Sequence, residues 1–449
     1  MILLFLGLEL ASLPVYVMVS ISRPIPAAQE AGVKYFFLVA MSAAVMLFGF
    51  SYLYGATGTT DLFEIAHHFR NTFGASVTGP SHFTAWEMLA AVMLIGGFAF
   101  KLAAVPFHFY AGDVYTGAAT PVTAFLSFVP KTSGLVALVK LMFVLGGGGV
   151  FAVPVEIGQL LWVMAVLTMT VGNVLGLVQQ QNIKRVLAYS SIAHSGYLLA
   201  AVATMVNTGG NPGLGERALT AVLFYLTAYG ITNVGTFAVL VLLPSRSDAP
   251  ATSAETFDDL AGAGRRHPGL GLAMAISCFS LIGIPMTVGF FGKYLILQPT
   301  LQAAQEGSRG MYALAIITVV NAAVSSAYYL RIIAAMFLRT EPHGHVAATG
   351  AADTVHAPHP HHPLKLSFPT VLAAVLSSVG TLLFGTVLPA TQVLSTRTAQ
   401  AAQVDDSVNP DLASDDTDSV APGAAKRPAT LPVPPPATAA RPTPPTALR

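Results

Sequence analysis

The chain has 449 residues, of which 22 are Lys or Arg and 21 are Asp or Glu, so that only 10% are charged. Soluble globular domains carry about 25% charged residues; with 54% hydrophobic residues and a mean hydropathy of +0.65, this is the composition of an integral membrane protein. A formal net charge of +1 leaves no basic footprint for nucleic acid. The single cysteine, Cys278, excludes a disulfide framework and an iron–sulfur cluster held by this chain alone, which would need about four thiolates.

A membrane-spanning helix takes about 20 mostly apolar residues. In chain order, stretches of that kind lie near 2–21, 35–54, 86–110, 121–145, 159–178, 186–206, 218–243, 269–297, 312–338 and 367–389. The sequence thus predicts an all-α polytopic membrane protein of roughly ten transmembrane helices. The first stretch lacks the basic n-region of a signal peptide, and Glu9 interrupts it, so it reads as a true span. Lys and Arg divide unevenly between alternate loops. One side holds Arg23, Lys34, Lys184, Arg185, Arg246, Arg265, Arg266, Arg339 and Lys365; the other holds Arg70, Arg217, Arg309 and Arg397. The richer side is expected to be cytoplasmic, with both termini outside.

The membrane part is expected over 1–395. Within it, a loop at 341–365 contains His343, His345, His356, His359, His361 and His362 without the fixed ligand spacing of a structural zinc site, and reads as a solvated loop. From 396 to 449 the composition turns to Pro, Ala, Thr and Asp with few large apolar residues, and predicts disorder.

The informative residues are ionisable ones inside apolar stretches, where a charge at a helix centre costs about 2.5–3.5 kcal/mol on insertion scales. Glu9 sits in "LGLELASLP", Lys101 in "GGFAFKLAAVPFHFY", Lys131 in "FLSFVPKTSGL", His194 in "YSSIAHSGYLLA" and Lys293 in "GIPMTVGFFGKYLIL". A single lysine can snorkel to the interface; five such groups on five stretches point to a connected polar pathway. Lys101 precedes Pro106, and Lys293 follows Gly283, Pro285, Gly289 and Gly292, so two helices should be broken at membrane depth. Interrupted helices of this kind mark ion pathways in transporters. Glu9 is the candidate partner of Lys101, because a carboxylate that comes and goes makes a lysine a switchable proton holder. Glu87 and Glu156 fall at stretch ends and read as interfacial, and Lys140 and Arg331 as snorkelling. No GxGxxG follows a strand pattern, no P-loop is present, and Gly146 to Gly149 form a loop. Redox or ATP chemistry, if coupled to this chain, must reside on a partner.

These same residues carry a resemblance. "FKLAAVPFHFYAGDVYTGAATPVTAFLSFVPKTSG" (100–134), "QNIKRVLAYSSIAHSGYLLAA" (181–201) and "GIPMTVGFFGKYLIL" (283–297) resemble the antiporter-like membrane subunits of respiratory complex I, NADH-quinone oxidoreductase. The runs 113–127 and 187–197 look like subunit N of that family. The resemblance covers residues 3 to 338 and implies an antiporter-like inverted-repeat architecture in which this subunit translocates protons. It implies no cofactor bound by this chain, with FMN, iron–sulfur clusters and quinone in partner subunits. It also implies neighbouring antiporter-like subunits as partners and a bacterial inner membrane location. Carried over by motif, Glu9 matches the family's first-half glutamate, Lys101 the lysine of the first broken helix and Lys131 the linking lysine. Lys293 matches the lysine of the second broken helix, where the companion subunit M typically has glutamate, and His194 falls in a further family motif. Such subunits have about fourteen spans, and this chain opens within what resembles the fifth, as expected of a short form, a misplaced start or a split gene.

Three functions compete at this point. The first is a proton-translocating subunit coupled to electron transfer from NADH to quinone in other subunits. The second is a subunit of a cation/proton antiporter without a redox partner, which the shared fold alone cannot separate from the first. The third is a non-conducting scaffold between neighbouring subunits.

Overall fold

Eight of the ten apolar stretches form uninterrupted helices in the computed structural model of the chain, which describes residues 1–74, 83–147, 153–179, 181–208, 211–245, 253–339 and 367–387. The His-rich loop at 341–365 and the tail at 396–449 lie outside the described residues. The long helices are α1 (Ile2–Ile21), α2 (Pro26–Thr57), α6 (Thr120–Leu145), α7 (Val155–Val178), α8 (Ile183–Val206), α9 (Pro212–Leu242), α14 (Gly310–Phe337) and α15 (Phe368–Val387). Their outer faces present Leu3, Leu10, Phe37 and Ile316 more than half exposed, as an apolar solvent requires.

The two stretches that do not run through are those holding Pro106 and Pro285. The break expected beside Pro106 divides the stretch 86–110: the structure has α4 (Ala85–Lys101), a stretch of turns, and α5 (Tyr110–Gly117). The stretch 269–297 is likewise broken as expected, into α12 (Pro268–Ile282) and α13 (Val288–Gln305). Eight long apolar helices and two broken pairs thus account for the ten apolar stretches. The remaining helices, α3 (Leu62–Gly74), α10 (Phe257–Leu260) and α11 (Ala263–Arg266), lie in connections.

The position of each break follows from proline chemistry. A proline at position i has no N–H for the carbonyl at i−4, and its ring clashes with that carbonyl. For Pro106 the orphaned acceptor is Leu102 O, and α4 stops one residue earlier, at Lys101. For Pro285 it is Leu281 O; α12 ends at Ile282, followed by Gly283 in the left-handed region at φ 92°. Gly283 is the usual solution for a left-handed C-terminal turn, because it has no Cβ to clash. Neighbouring helices receive the freed groups, as membrane depth demands. Val105 N–H donates to Thr168 Oγ1 at 3.0 Å, Tyr110 Oη–H to Phe100 O at 3.0 Å, and Gly289 N–H to Ser280 Oγ at 3.1 Å.

α8 is buried along nearly its whole length and packs on α5, α6, α7, α9, α13 and α14. Ser, Ala and Gly dominate its middle, which lets several helix backbones approach it at once. It therefore carries Ser191, His194 and Ser195 into the centre of the bundle.

Four basic residues of the richer side, Arg23, Lys34, Lys184 and Arg185, take part in two ion-pair clusters. Glu255 pairs with Arg23 at 2.9 Å and with Lys184 at 3.0 Å, and Lys184 also donates to Ala118 O at 2.6 Å. Asp113 pairs with Lys34 and with Arg185, each at 2.9 Å. Lys184, read from sequence as a loop charge, is buried completely at the first turn of α8. Its segment is held by Ile183 N–H on Glu255 O and Phe257 N–H on Gln181 O.

Candidate functional site

Glu9 and Lys101 meet. Lys101 is the last residue of α4, so its side chain leaves the helix where the backbone turns away, and its Nζ lies 3.0 Å from Glu9 Oε1. It also donates to Ser12 Oγ at 2.7 Å, and Ser12 in turn donates to Leu8 O at 2.8 Å. Glu9 and Ser12, three apart on α1, share the face that receives the lysine. The Lys101 side chain is 2% exposed and the Glu9 side chain 19%, so the pair is sealed on the lysine side and reachable on the carboxylate side. α6 passes Lys101 at Gly134, where a Cβ would stand only 2.7 Å from Lys101 Cβ.

Lys131 is buried on α6 with hydroxyl and carbonyl oxygens for partners and no carboxylate among the described residues. Its Nζ donates to Ser191 O, to Ser191 Oγ at 2.5 Å and to Ser195 Oγ at 3.0 Å. Three donors meet three acceptors, which is the full capacity of an ammonium group. Ser195 Oγ–H donates in turn to Leu102 O at 2.7 Å, the carbonyl orphaned by Pro106. Lys131 is thereby tied through one serine to the break that begins one residue beyond Lys101. Ser191 Oγ also accepts from Tyr229 Oη at 2.8 Å and lies 3.3 Å from Tyr115 Oη.

Lys293 repeats that logic at the second break without an intermediary. From α13 it reaches back and donates to Leu281 O at 2.9 Å and Ile282 O at 2.8 Å, the last carbonyls of α12. A cation at a helix C-terminus is favoured both by the helix dipole and by the free carbonyls. Its Nζ also stands 5.0 Å from the centre of the Tyr197 ring, within cation–π range. At both breaks, then, the carbonyl four residues before the proline is taken by a side-chain donor from elsewhere in the bundle.

His194 on α8 uses both ring nitrogens. Nδ1 lies 2.7 Å from Tyr225 Oη and Nε2 3.0 Å from Tyr329 Oη, and Tyr329 Oη is hydrogen-bonded to Ser190 Oγ. The imidazole lies 4.8 Å from the tilted ring of Tyr229, the tyrosine that donates to Ser191.

With this geometry in view, comparison with known proteins is decisive. The model of the family described as NADH:quinone oxidoreductase/Mrp antiporter, transmembrane, matches residues 1–325. The chain belongs to this family. Curated relatives include NADH-quinone oxidoreductase subunit N of Trichlorobacter lovleyi, 42% identical over 339 residues. Subunit N of Myxococcus xanthus is 39% identical over 406 residues. These alignments take in 75% and 86% of this chain; the chain spans 63% of the Trichlorobacter protein and 72% of the Myxococcus one. Among solved structures, a chain of respiratory complex I from Thermus thermophilus with bound aureothin has a TM-score of 0.62 at 31% identity, covering 86% of this chain and 74% of that one. A chain of the Mrp complex from a Dietzia species reaches 0.68 at 22% identity, covering 87% and 71%, a likeness of fold.

Within this member of the NADH:quinone oxidoreductase/Mrp antiporter family, the five singled-out residues fall in three groups: Glu9 with Lys101, Lys131 with Ser191 and Ser195, and His194 and Lys293, which both touch the Tyr197 ring. Sequence reasoning missed Ser12, Ser191, Ser195, Tyr225, Tyr229 and Tyr329, because Ser and Tyr inside apolar stretches carry no charge to flag them. The proline rule held the one available signal: each broken helix leaves one carbonyl that something must cap. Arg331, read as snorkelling, instead donates to Gln179 O at the end of α7, with its guanidinium 5.0 Å from the Phe257 ring. Glu87, read as interfacial, is buried as the third residue of α4 in a reciprocal cap with Thr84, and its carboxylate lies 3.1 Å from His68 Nε2.

Proposed function

We propose that this chain is a proton-translocating membrane subunit of NADH-quinone oxidoreductase, a multi-pass protein of the bacterial inner membrane. Electron transfer from NADH to quinone takes place in partner subunits, which hold the FMN, iron–sulfur clusters and quinone. Among those partners, neighbouring antiporter-like subunits lie beside this one. Glu9, Lys101, Lys131, His194 and Lys293 form the path of the proton.

The observation that carries this reading is the Glu9–Lys101 pair at the end of a broken helix, with one carboxylate set against a lysine 2% exposed. A buried ammonium with one charged partner responds strongly to anything that moves that partner, because Coulomb energy in a low-dielectric interior is several-fold larger than in water. A charge change arriving along the membrane arm would alter the Glu9–Lys101 contact, and Lys101 would release its proton toward Lys131. Lys131 lies one hydrogen-bonded serine from the break, and Lys293 at the second break is the exit-side station. The subunit-N relatives, near 40% identity, support this reading over a stand-alone antiporter.

The test is native isolation followed by reconstitution. Tagged protein from mild detergent should co-migrate with NADH-oxidising, quinone-reducing activity, and Lys101→Ala should abolish NADH-driven proton uptake into vesicles while the complex still assembles. Migration with other multispan subunits and away from NADH oxidation would replace this reading with a cation/proton antiporter. Unchanged pumping in the Lys101→Ala complex would leave a scaffold.

A further inference from the structure

An imidazole whose two nitrogens both face hydroxyl groups has no fixed polarity. One ring nitrogen of a neutral histidine donates and the other accepts, and a tyrosine hydroxyl serves equally as donor or acceptor. His194 sits between two such hydroxyls at 2.7 and 3.0 Å, buried to 3% exposure. The chain continues from Tyr329 Oη to Ser190 Oγ. Either tautomer therefore satisfies every group. With Nε2–H, Tyr225 donates to Nδ1, Nε2–H donates to Tyr329, and Tyr329 donates to Ser190. With Nδ1–H, every bond reverses.

The relay also lies between Lys131 and Lys293, neither of which pairs with a carboxylate among the described residues. Tyr225 packs against Gly292, the neighbour of Lys293, where a Cβ would come within 2.6 Å of its ring. The imidazole also contacts the tilted ring of Tyr229 at 4.8 Å, and the Tyr229 hydroxyl donates to Ser191, the acceptor of Lys131. Lys293 reaches the Tyr197 ring that the imidazole meets edge-on, and Lys131 lies beyond Ser191. A third positive charge placed between them in an apolar medium is strongly disfavoured, so the ring best passes a proton without holding one.

We propose that Tyr225, His194 and Tyr329 form a neutral hydrogen-bonded proton relay, in which both tyrosine hydroxyls are functional members of the pathway. The inference rests on the proton-path reading above. In one transit, a proton from an ammonium or water reaches the oxygen of Tyr225, which hands its own phenolic proton to Nδ1. Nε2 gives up its proton to the oxygen of Tyr329, and Tyr329 passes its phenolic proton to Ser190 Oγ, which releases its own hydroxyl proton to a water molecule. One proton enters, one leaves, and no group ends charged. The imidazole is left in the other tautomer, so a second transit in the same direction waits for the ring to be reset. That reset makes the relay a one-proton-per-cycle gate.

The experiment compares Tyr225→Phe, Tyr329→Phe and Lys101→Ala in the intact complex reconstituted in vesicles, with assembly read on native gels. Phenylalanine keeps the ring packing and removes only the hydroxyl, so a purely structural tyrosine would leave pumping unaltered. Each Phe variant is expected to lower NADH-driven proton uptake by roughly tenfold or more. In ¹⁵N spectra of the labelled complex, His194 should populate two exchanging tautomers in the wild type and a single one in Tyr329→Phe. Wild-type pumping in both Phe variants, with pumping lost in Lys101→Ala, overturns the relay and leaves the proton-path reading standing. Wild-type pumping in all three overturns both. If the Phe variants do not assemble, the wild-type spectrum decides: one fixed tautomer overturns the relay, and two in exchange support it.

Discussion

Gly134→Ala is a single methyl group placed against the Lys101 site. The added Cβ would lie 2.7 Å from Lys101 Cβ, where ordinary contact begins at 3.4 Å, so one helix must retreat by roughly 0.7 Å. α4 ends at Lys101 and α6 continues through, so the α4 terminus is the part that gives way. Overpacking of this kind costs about 1–3 kcal/mol. The methyl bears directly on the stem of the lysine, so the shift disturbs the Lys101 contacts to Ser12 and Glu9, now 2.7 and 3.0 Å. The variant should therefore assemble with a lowered melting temperature and lose most NADH-driven proton uptake in vesicles. Gly7→Ala on α1 is the control: nothing stands within 4 Å of its added Cβ. A mid-helix Gly→Ala change should stabilise by roughly 0.5–1 kcal/mol and leave pumping alone. Equal pumping by Gly134→Ala and Gly7→Ala would refute the claim that contact at this glycine sets the Glu9–Lys101 geometry.

The two ion-pair clusters should respond differently. Glu255→Gln leaves buried Lys184 and mostly buried Arg23 without their shared carboxylate, a loss of about 3 kcal/mol that should show as a lower midpoint in thermal aggregation of the detergent-solubilised complex. Asp113→Asn removes the partner of two half-exposed cations, and its midpoint should stay near wild type. Lys293→Met keeps the length of the side chain but leaves Leu281 O and Ile282 O uncapped, at a cost of about 2 kcal/mol. Hydrogen exchange over 283–292 should then accelerate, and unchanged protection there would argue against Lys293 as the cap of α12.

Much of this protein was legible from composition and local chemistry. Apolar runs of spanning length, interrupted by charges and prolines, were enough to locate eight long helices and two broken pairs, because lipid forces each backbone polar group to be satisfied within a helix. Pro106 and Pro285 marked the two breaks for the same reason. Lys101 and Glu9 stood out singly, since a charge in an apolar run is costly whatever its neighbours.

Only the tertiary structure decided the partners. Lys101 meets Glu9 across 92 positions of chain, Lys184 meets Glu255 across 71, and Ser195 finds Leu102 O across 93. Such contacts depend on which helices pack side by side, and no local periodicity encodes that. The sequence predicted two broken helices beside two lysines. It could not show that Lys293 caps the preceding half-helix while Lys131 reaches its break through a serine. Hydroxyl groups on the largely buried α8 acquire their meaning only from the helices around them, because a neutral side chain reveals its role through the atoms it touches.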